Sequence, residues 1–305
     1  MWFFVGDEWD DAKDEVWPEV IRPMLSSAGG HALFIGSPKG FGKLYKGFIE
    51  GQPNGKGNTR SWTYTTAQGG NVPLDEIEDA RASLDARTFR QEYEASFETY
   101  AGQVYYAFSR AHSIKPCPYD ADLPIHIGMD FNVNPMSATV WQEHGKGADL
   151  ELWQVGEVVI PTSNTHDMSD EIIKRYGKDS GSLSHITIYP DPAGAQRRTS
   201  AQGQTDISIL REKGFRVLAM ASHPLVRDRI IAVNSKLQTA DGVRHAFLDP
   251  SCRRSIECLE RQIYKEGTSE PDKIGGFDHL NDATGYYIYS RFDGAGPLIV
   301  RELRL

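Results

Sequence analysis

The rhythm of apolar and polar positions changes near residue 125. From there, apolar runs of strand length alternate with stretches whose apolar residues recur every three or four positions. The segment IHIGMDFNVNPMSATV (residues 125–140) opens the series. It predicts an apolar strand that ends on Asp130, an Asn-Pro turn, and a second strand continuing to Glu143, together a hairpin that opens a sheet. Leu150 to Ile160 predict a third strand behind the charged turn HGKGAD. His185 to Tyr189 predict a fourth, which runs into Pro190-Asp191-Pro192, and Phe215 to Met220 a short fifth. Helices are expected over Thr165 to Tyr176, 204–213, 223–238, 251–264 and Asp278 to Ser290. In the helix over 223–238, Val226, Ile230, Val233 and Leu237 fall at near-helical spacing. Residues 125–305 therefore read as an α/β sheet domain.

The first hundred residues have a different pattern. MWFFV predicts a strand leading into GDEWDDAKDEVWPEVIRPML. His31 to Ile35 predict a second buried strand, followed by the Gly/Pro-rich loop 36–43. A short strand is expected at 60–66 within the polar stretch 51–73. A helix is expected over 74–97, with Leu84, Phe89, Tyr93 and Phe97 as packing groups. Gly102, Pro116, Pro118 and Pro124 mark residues 101–124 as a linker between a unit at 1–100 and the domain at 125–305. Asp7-Glu8 after an apolar strand has the form of the second motif of a nucleotide-hydrolysing site, where the Asp holds Mg²⁺ and the Glu orients water. An acidic loop after an edge strand gives the same pattern. GSPKGFGK does not fit the phosphate loop GxxxxGK followed by Ser or Thr, because Phe41 stands where Gly is required and Leu44 follows Lys43.

Composition narrows the classes. With 33 basic and 42 acidic residues the formal charge is −9, which argues against a nucleic-acid coat but leaves room for a local phosphate-binding patch. No apolar run is long enough to span a bilayer, so no membrane partner is expected. Cys117, Cys252 and Cys258 show no CxxC spacing, which points to a reduced protein without a cysteine-built zinc site. No GxGxxG follows the first strand of the sheet, which disfavours a dehydrogenase.

Candidate chemistry lies in three acids. Asp130 and Asp191 end predicted strands, and Asp282 sits early in the last predicted helix. Strand ends in an α/β sheet share an edge where ligands bind. Three carboxylates brought to one edge repel one another unless divalent cations lie among them, and Mg²⁺ or Mn²⁺ take oxygen ligands. Two such ions about 4 Å apart activate water and stabilise the leaving oxygen of a phosphodiester. Taken singly, each acid is equally readable as a turn or helix cap. His279 shares a helical face with Asp282 at a spacing of three, as a candidate to assist at the scissile phosphate or as a helix-start residue making a local bond.

These motifs resemble those of the large subunit of a tailed-phage DNA-packaging terminase, over nearly the whole chain. FFVGDEWDDAKDEVWPEVIRPML resembles that family's Walker B strand and following helix, and ALFIGSPKG its coupling motif. FRQEYEASFETYAGQVYYAF resembles its inter-domain connector, and GMDFN, YPDPAG and FDHLNDATGYY its three acidic nuclease motifs. The resemblance implies an RNase H-like mixed sheet flanked by helices, preceded by an incomplete P-loop-type ATPase segment. It implies Asp130, Asp191 and Asp282 as ligands of Mg²⁺ or Mn²⁺, with two ions, and His279 as a catalytic group. Asp7, Glu8 and Ser37 would be nucleotide-site residues.

The chain begins at the Walker B strand, so ATP use is expected only in a full-length protein. The activity implied is metal-dependent cutting of double-stranded DNA during packaging. The small subunit and portal protein would be partners, and the host cytoplasm and procapsid portal the location. Arg197 and Arg198, beyond YPDPAG, are the favoured phosphate contacts, with Arg227, Arg229, Arg253 and Arg254 as further candidates. Two other readings stay open: another RNase H-like nuclease of the resolvase type, and a docking fragment for portal or small subunit with little activity of its own.

Overall fold

The computed structural model describes residues 1–39, 42–52, 58–97, 102–132, 134–178, 181–195 and 204–293. The chain divides into two compact units, Met1–Tyr100 and Ala101–Leu305.

In the first unit, β1 (Phe3–Gly6) and β2 (His31–Phe34) pair in parallel, Phe3 opposite His31. Between them a wide helical turn over Val16–Ile21 continues into α1 (Arg22–Ser26). Trp9, Ile21 and Leu25 are buried, and Phe34 packs against Trp9 and Trp17. The helices α2 (Lys43–Glu50), α3 (Thr66–Gly69), α4 (Leu74–Ser83) and α5 (Ala86–Tyr93) follow. The strand expected at 60–66 is absent. Residues 58–65 pair with no strand among the described residues, and Thr65 instead caps α3. The single helix expected over 74–97 is two. Leu84 is extended, and the buried Asp85 accepts from the backbone N–H groups of Arg87 and Thr88, so a new N-terminus starts there. Phe89 is fully buried and stacks on Tyr93, as the helical spacing predicts.

The second unit begins by packing rather than by linking. Val104, Tyr105, Ala107 and Phe108 are buried, the Val104 N–H donates to Gln262, and Asn234 binds both Val104 and Ala107. Within the stretch expected as a linker, residues 102–124 contain α6 (Arg110–Ser113) and pack against the sheet unit.

The sheet itself comprises β3 (Ile125–Asp130), β4 (Met136–His144), β5 (Glu151–Ile160), β6 (Ile186–Pro190), β7 (Arg216–Val217) and β8 (Ala246–Leu248). Their spatial order is β7-β6-β3-β4-β5-β8. The strand β4 is antiparallel to both neighbours and all other pairs are parallel. A hairpin-built meander followed by parallel strands added on the far side of the first strand is the RNase H-like order. The fifth expected strand is only two residues long, and β8 has no signature in the sequence pattern.

Strand β3 is buried at all six positions, so both faces are covered. Alternation assigns Ile125, Ile127 and Met129 to one face, where they form a core with Met168 and Ile172 of α7 (Thr165–Tyr176) and Leu210 of α8 (Asp206–Glu212). His126, Gly128 and Asp130 face the other way. Beyond α9 (Val226–Leu237) and α10 (Arg253–Arg261) comes α11 (Asp278–Ile288), which lies along this second face. His126 stacks on Tyr287 at 5.5 Å, a Cβ at Gly128 would run into the carbonyl of Ala283, and Asp130 bonds His279. Two residues of strand advance about 6.6 Å and four of helix about 6.0 Å, so the two elements stay in step in opposite directions.

At the far end of this seam Glu143 accepts from Arg291 at 2.9 and 3.1 Å and from the buried Tyr287 hydroxyl at 3.2 Å, with His126 3.3 Å away. Burial pushes the Glu143 carboxyl up, but Arg291 and His126 outweigh it and hold it below its ordinary value.

Two outcomes follow. Gly128→Ala forces α11 off the strand and costs about 3 kcal/mol, the upper end of overpacking penalties, read as a lower urea midpoint with an unchanged slope. Glu143→Gln lowers stability at neutral pH by roughly 1–2 kcal/mol. Because the folded pKa is depressed, the native chain's advantage is full above the unfolded value of about 4.3 and fades as pH falls through the folded one. An advantage that persists at pH 2 in parallel melts of the two proteins contradicts this assignment.

Candidate active site

The seam that fixes α11 on β3 also fixes two of the acids. Asp130 is the last residue of β3, and its Oδ2 lies 3.1 Å from Nδ1 of His279. Asp191 directly follows β6, and its N–H donates to Met129 at 2.9 Å, so parallel pairing puts it beside Asp130 at the same sheet end. Its Oδ1 accepts from the Ala193 N–H and lies 3.4 Å from His223. Asp282 stands one helical turn beyond Asp278 on α11 and accepts from Nη1 of Arg229 at 2.8 Å. The three expected acids therefore come from three separate elements, and each meets one basic side chain.

All three acids lie near Tyr286 of α11. Tyr286 is held protonated first by burial, and the charges of Asp191, Asp282 and Asp130 add to the same effect against Arg229. Asp282 is raised above the ordinary carboxyl range mainly by burial. Arg229 opposes that rise, whereas Asp130 and Asp278 reinforce it. His279 is raised, first by its bond to Asp130 and against burial, then by the nearby charges of Asp278, Asp130 and Asp282. Asn132 places its amide 3.0 Å from the His279 ring. Asp278, 5% exposed, leaves Oδ1 without a hydrogen-bond partner, and Lys273 approaches its other oxygen at 3.7 Å.

A cleft opens beside His279, lined by Pro135, Ser137, Arg254, Glu257, Cys258 and Phe277. Carboxylate oxygens are the donors that hard divalent cations take. In this arrangement, however, no three His, Cys, Asp or Glu groups among the described residues are gathered closely enough to hold a metal ion. The donor chemistry fits, and each acid faces a basic side chain of the protein.

The other expected residues are placed as follows. Asp7 and Glu8 follow β1 and are exposed, Glu8 in the left-handed region at φ 45°. Lys39 binds Glu8 at 3.1 Å and Asp11 at 2.6 Å, and these acids raise its pKa. Ser37 lies in the segment after β2. Arg197 and Arg198 lie outside the described residues. Arg227, Arg253 and Arg254 are exposed. Arg229 is a correction: a candidate for phosphate contact by sequence, it is buried against Asp282 and the Tyr286 ring. The signal was present, since Arg229 falls on the apolar stripe of Val226, Ile230 and Val233 and not on the wet face of its helix. His223, Lys273 and Tyr286 had no such signal.

An RNase H-like sheet with acids at the ends of its central strands is the class that this geometry defines. No protein-family model matches the chain. It is 25% identical over 314 residues to the terminase large subunit of Escherichia phage T5, an alignment that covers 94% of this chain and 65% of that one. In structure it is similar to the large terminase of a thermophilic bacteriophage, with a TM-score of 0.63 and 14% identity over 95% of this chain and 68% of that one. The same terminase in complex with ADP gives a TM-score of 0.62 at 14% identity, over 95% and 69%. The chain resembles a phage terminase large subunit over nearly its whole length. It spans about two thirds of the length of these relatives. No helix among the described residues is long and apolar enough to cross a membrane.

The Asp130–His279 bond makes a direct prediction. In metal-free buffer the imidazole of His279 titrates above the ordinary value of about 6.5, and Asp130→Asn moves its midpoint down. An unchanged NMR midpoint contradicts the bond.

Proposed function

We propose that the chain is the cutting part of a DNA-packaging terminase, a divalent-metal-dependent endonuclease acting on double-stranded DNA. The observation that carries this reading is the delivery of Asp130, Asp191 and Asp282 by β3, the β6 end and α11 to one end of an RNase H-like sheet. The resemblance to the phage T5 terminase subunit supports it. Asp130, Asp191 and Asp282 would hold Mg²⁺ or Mn²⁺, two ions in our reading, and the metal would supply charge neutralisation at the phosphate and activation of water.

The chain's own groups do the rest. His279, bonded to Asp130 and raised in pKa, holds a proton at Nδ1 against that carboxylate and lies at the mouth of the cleft, close to where a scissile phosphate would approach. Arg197 and Arg198 are proposed phosphate contacts beyond Asp191, and such contacts position a duplex without reading its bases.

The domain assignment follows the same reading. Residues 1–100 are the end of an ATPase domain with Asp7, Glu8 and Ser37 as nucleotide-site residues, and 125–305 are the nuclease. ATP would be used in the full-length protein. The small subunit, the portal protein and the host cytoplasm belong to this proposal in the same way.

The test is relaxation and linearisation of supercoiled plasmid with Mn²⁺, Mg²⁺ or EDTA. Asp130→Ala, Asp191→Ala and Asp282→Ala are each expected to reduce cutting by about 100-fold or more, with unchanged circular dichroism. Metal-independent cutting, or three variants that cut like the native chain, overturns the proposal.

A further inference from the structure

Each acid of the site faces one basic side chain, and one of these pairings differs from the others. His279 and His223 are partly exposed imidazoles, whereas Arg229 carries a permanent charge on a side chain only 7% exposed. Its stem passes α11 at Gly285, where an added Cβ would press on it at 3.3 Å. Its guanidinium lies over the ring of Tyr286 at 4.4 Å. Among the described residues it makes one bond, Nη1 to Oδ1 of Asp282, and its Nε is buried without a hydrogen-bond partner. A purely structural buried arginine favours a two-pronged carboxylate pair and satisfied donors. Here the fork is half used, and Oδ2 of Asp282 has no protein hydrogen-bond partner among the described residues.

We propose that Arg229 is a resident counter-ion of the acidic site, occupying one oxygen of Asp282 and competing with an incoming divalent cation for that carboxylate. This rests on the metal-dependent reading given above and adds to it a positioning residue and a way in which the site is regulated by its own charge. The reasoning is electrostatic. The Asp282 carboxylate lies 2.8 Å from a permanent positive charge in a place largely sheltered from water, where charge interactions are weakly screened. Arg229 provides that charge without closing the site, because one oxygen stays open. A divalent ion arriving at the three acids must then draw Asp282 away from a fixed positive charge and tolerate that charge nearby. Asp282 is turned to Arg229 and not to Asp130 and Asp191.

The test is Mn²⁺ binding, followed by the loss of the free-ion EPR signal, on the whole chain at pH 8. Arg229→Met keeps an apolar stem against Tyr286 and removes the charge. It is expected to bind Mn²⁺ about tenfold more tightly than the native chain and to gain more in Tm on Mn²⁺ addition. Arg229→Lys is expected to stay within about threefold of native. Equal or weaker binding by a folded Arg229→Met, while native binding is lost in Asp282→Ala, overturns the counter-ion role and leaves the metal reading standing. Absence of Mn²⁺ binding in every variant overturns both.

A readout on the native protein guards against a variant that does not fold. In a Mg²⁺ titration, the NMR resonance of the Arg229 side chain should move with the same midpoint as binding. A resonance that stays fixed while Mg²⁺ binds overturns the inference.

Discussion

Two periodicities that nearly match hold the second unit together. Every second residue of β3 meets every fourth residue of α11: His126 with Tyr287, Gly128 with Ala283, Asp130 with His279. The advance per step differs by well under an ångström on the ideal values, so three successive pairs stay in contact. The middle pair needs glycine, since helix backbone lies directly on strand there. The upper pair is tied into Glu143 and Arg291, and the lower pair opens onto the sheet end. A shift of one strand residue would turn Asp130 into the opposite core and remove His279 from its partner. The position of the acids is thus a consequence of packing along the whole seam and not of local turn geometry.

The parallel pairing of β6 with β3 adds Asp191 beside Asp130, and α9 lays Arg229 against α11 where Asp282 emerges. The site that results sets each of the three acids against one basic side chain. Burial pushes the Asp282 carboxyl up. Arg229 works against that, and the neighbouring acids work with it. An arrangement of this kind is stable as it stands and responsive to added positive charge. Tyr286 and Tyr105 are both kept neutral chiefly by burial.

Much of this was legible in the residues, for physical reasons. Strands β3, β4, β5 and β6 are apolar runs ending at turns, so their ends, and with them Asp130 and Asp191, could be placed. The helix carrying His279 and Asp282 was legible from its period. What was not legible depends on tertiary contact. Asp85 caps a helix inside what reads as one continuous helical stretch. The segment 101–124, rich in proline, reads as a connector but buries Val104 and Phe108. Arg229 reads as a surface cation until its place on the apolar stripe is taken seriously. The pairing of each acid with its own basic side chain depends on distances between elements far apart in the chain, and no spacing along the sequence encodes them.

The most direct test of the account is anomalous diffraction from a crystal of this chain soaked in Mn²⁺. The account predicts a peak bounded by Asp130, Asp191 and Asp282, with Asp282 turned from Arg229 toward it. A chain that takes up Mn²⁺ elsewhere, with the Arg229–Asp282 and Asp130–His279 bonds intact and no peak among the three carboxylates, would contradict it.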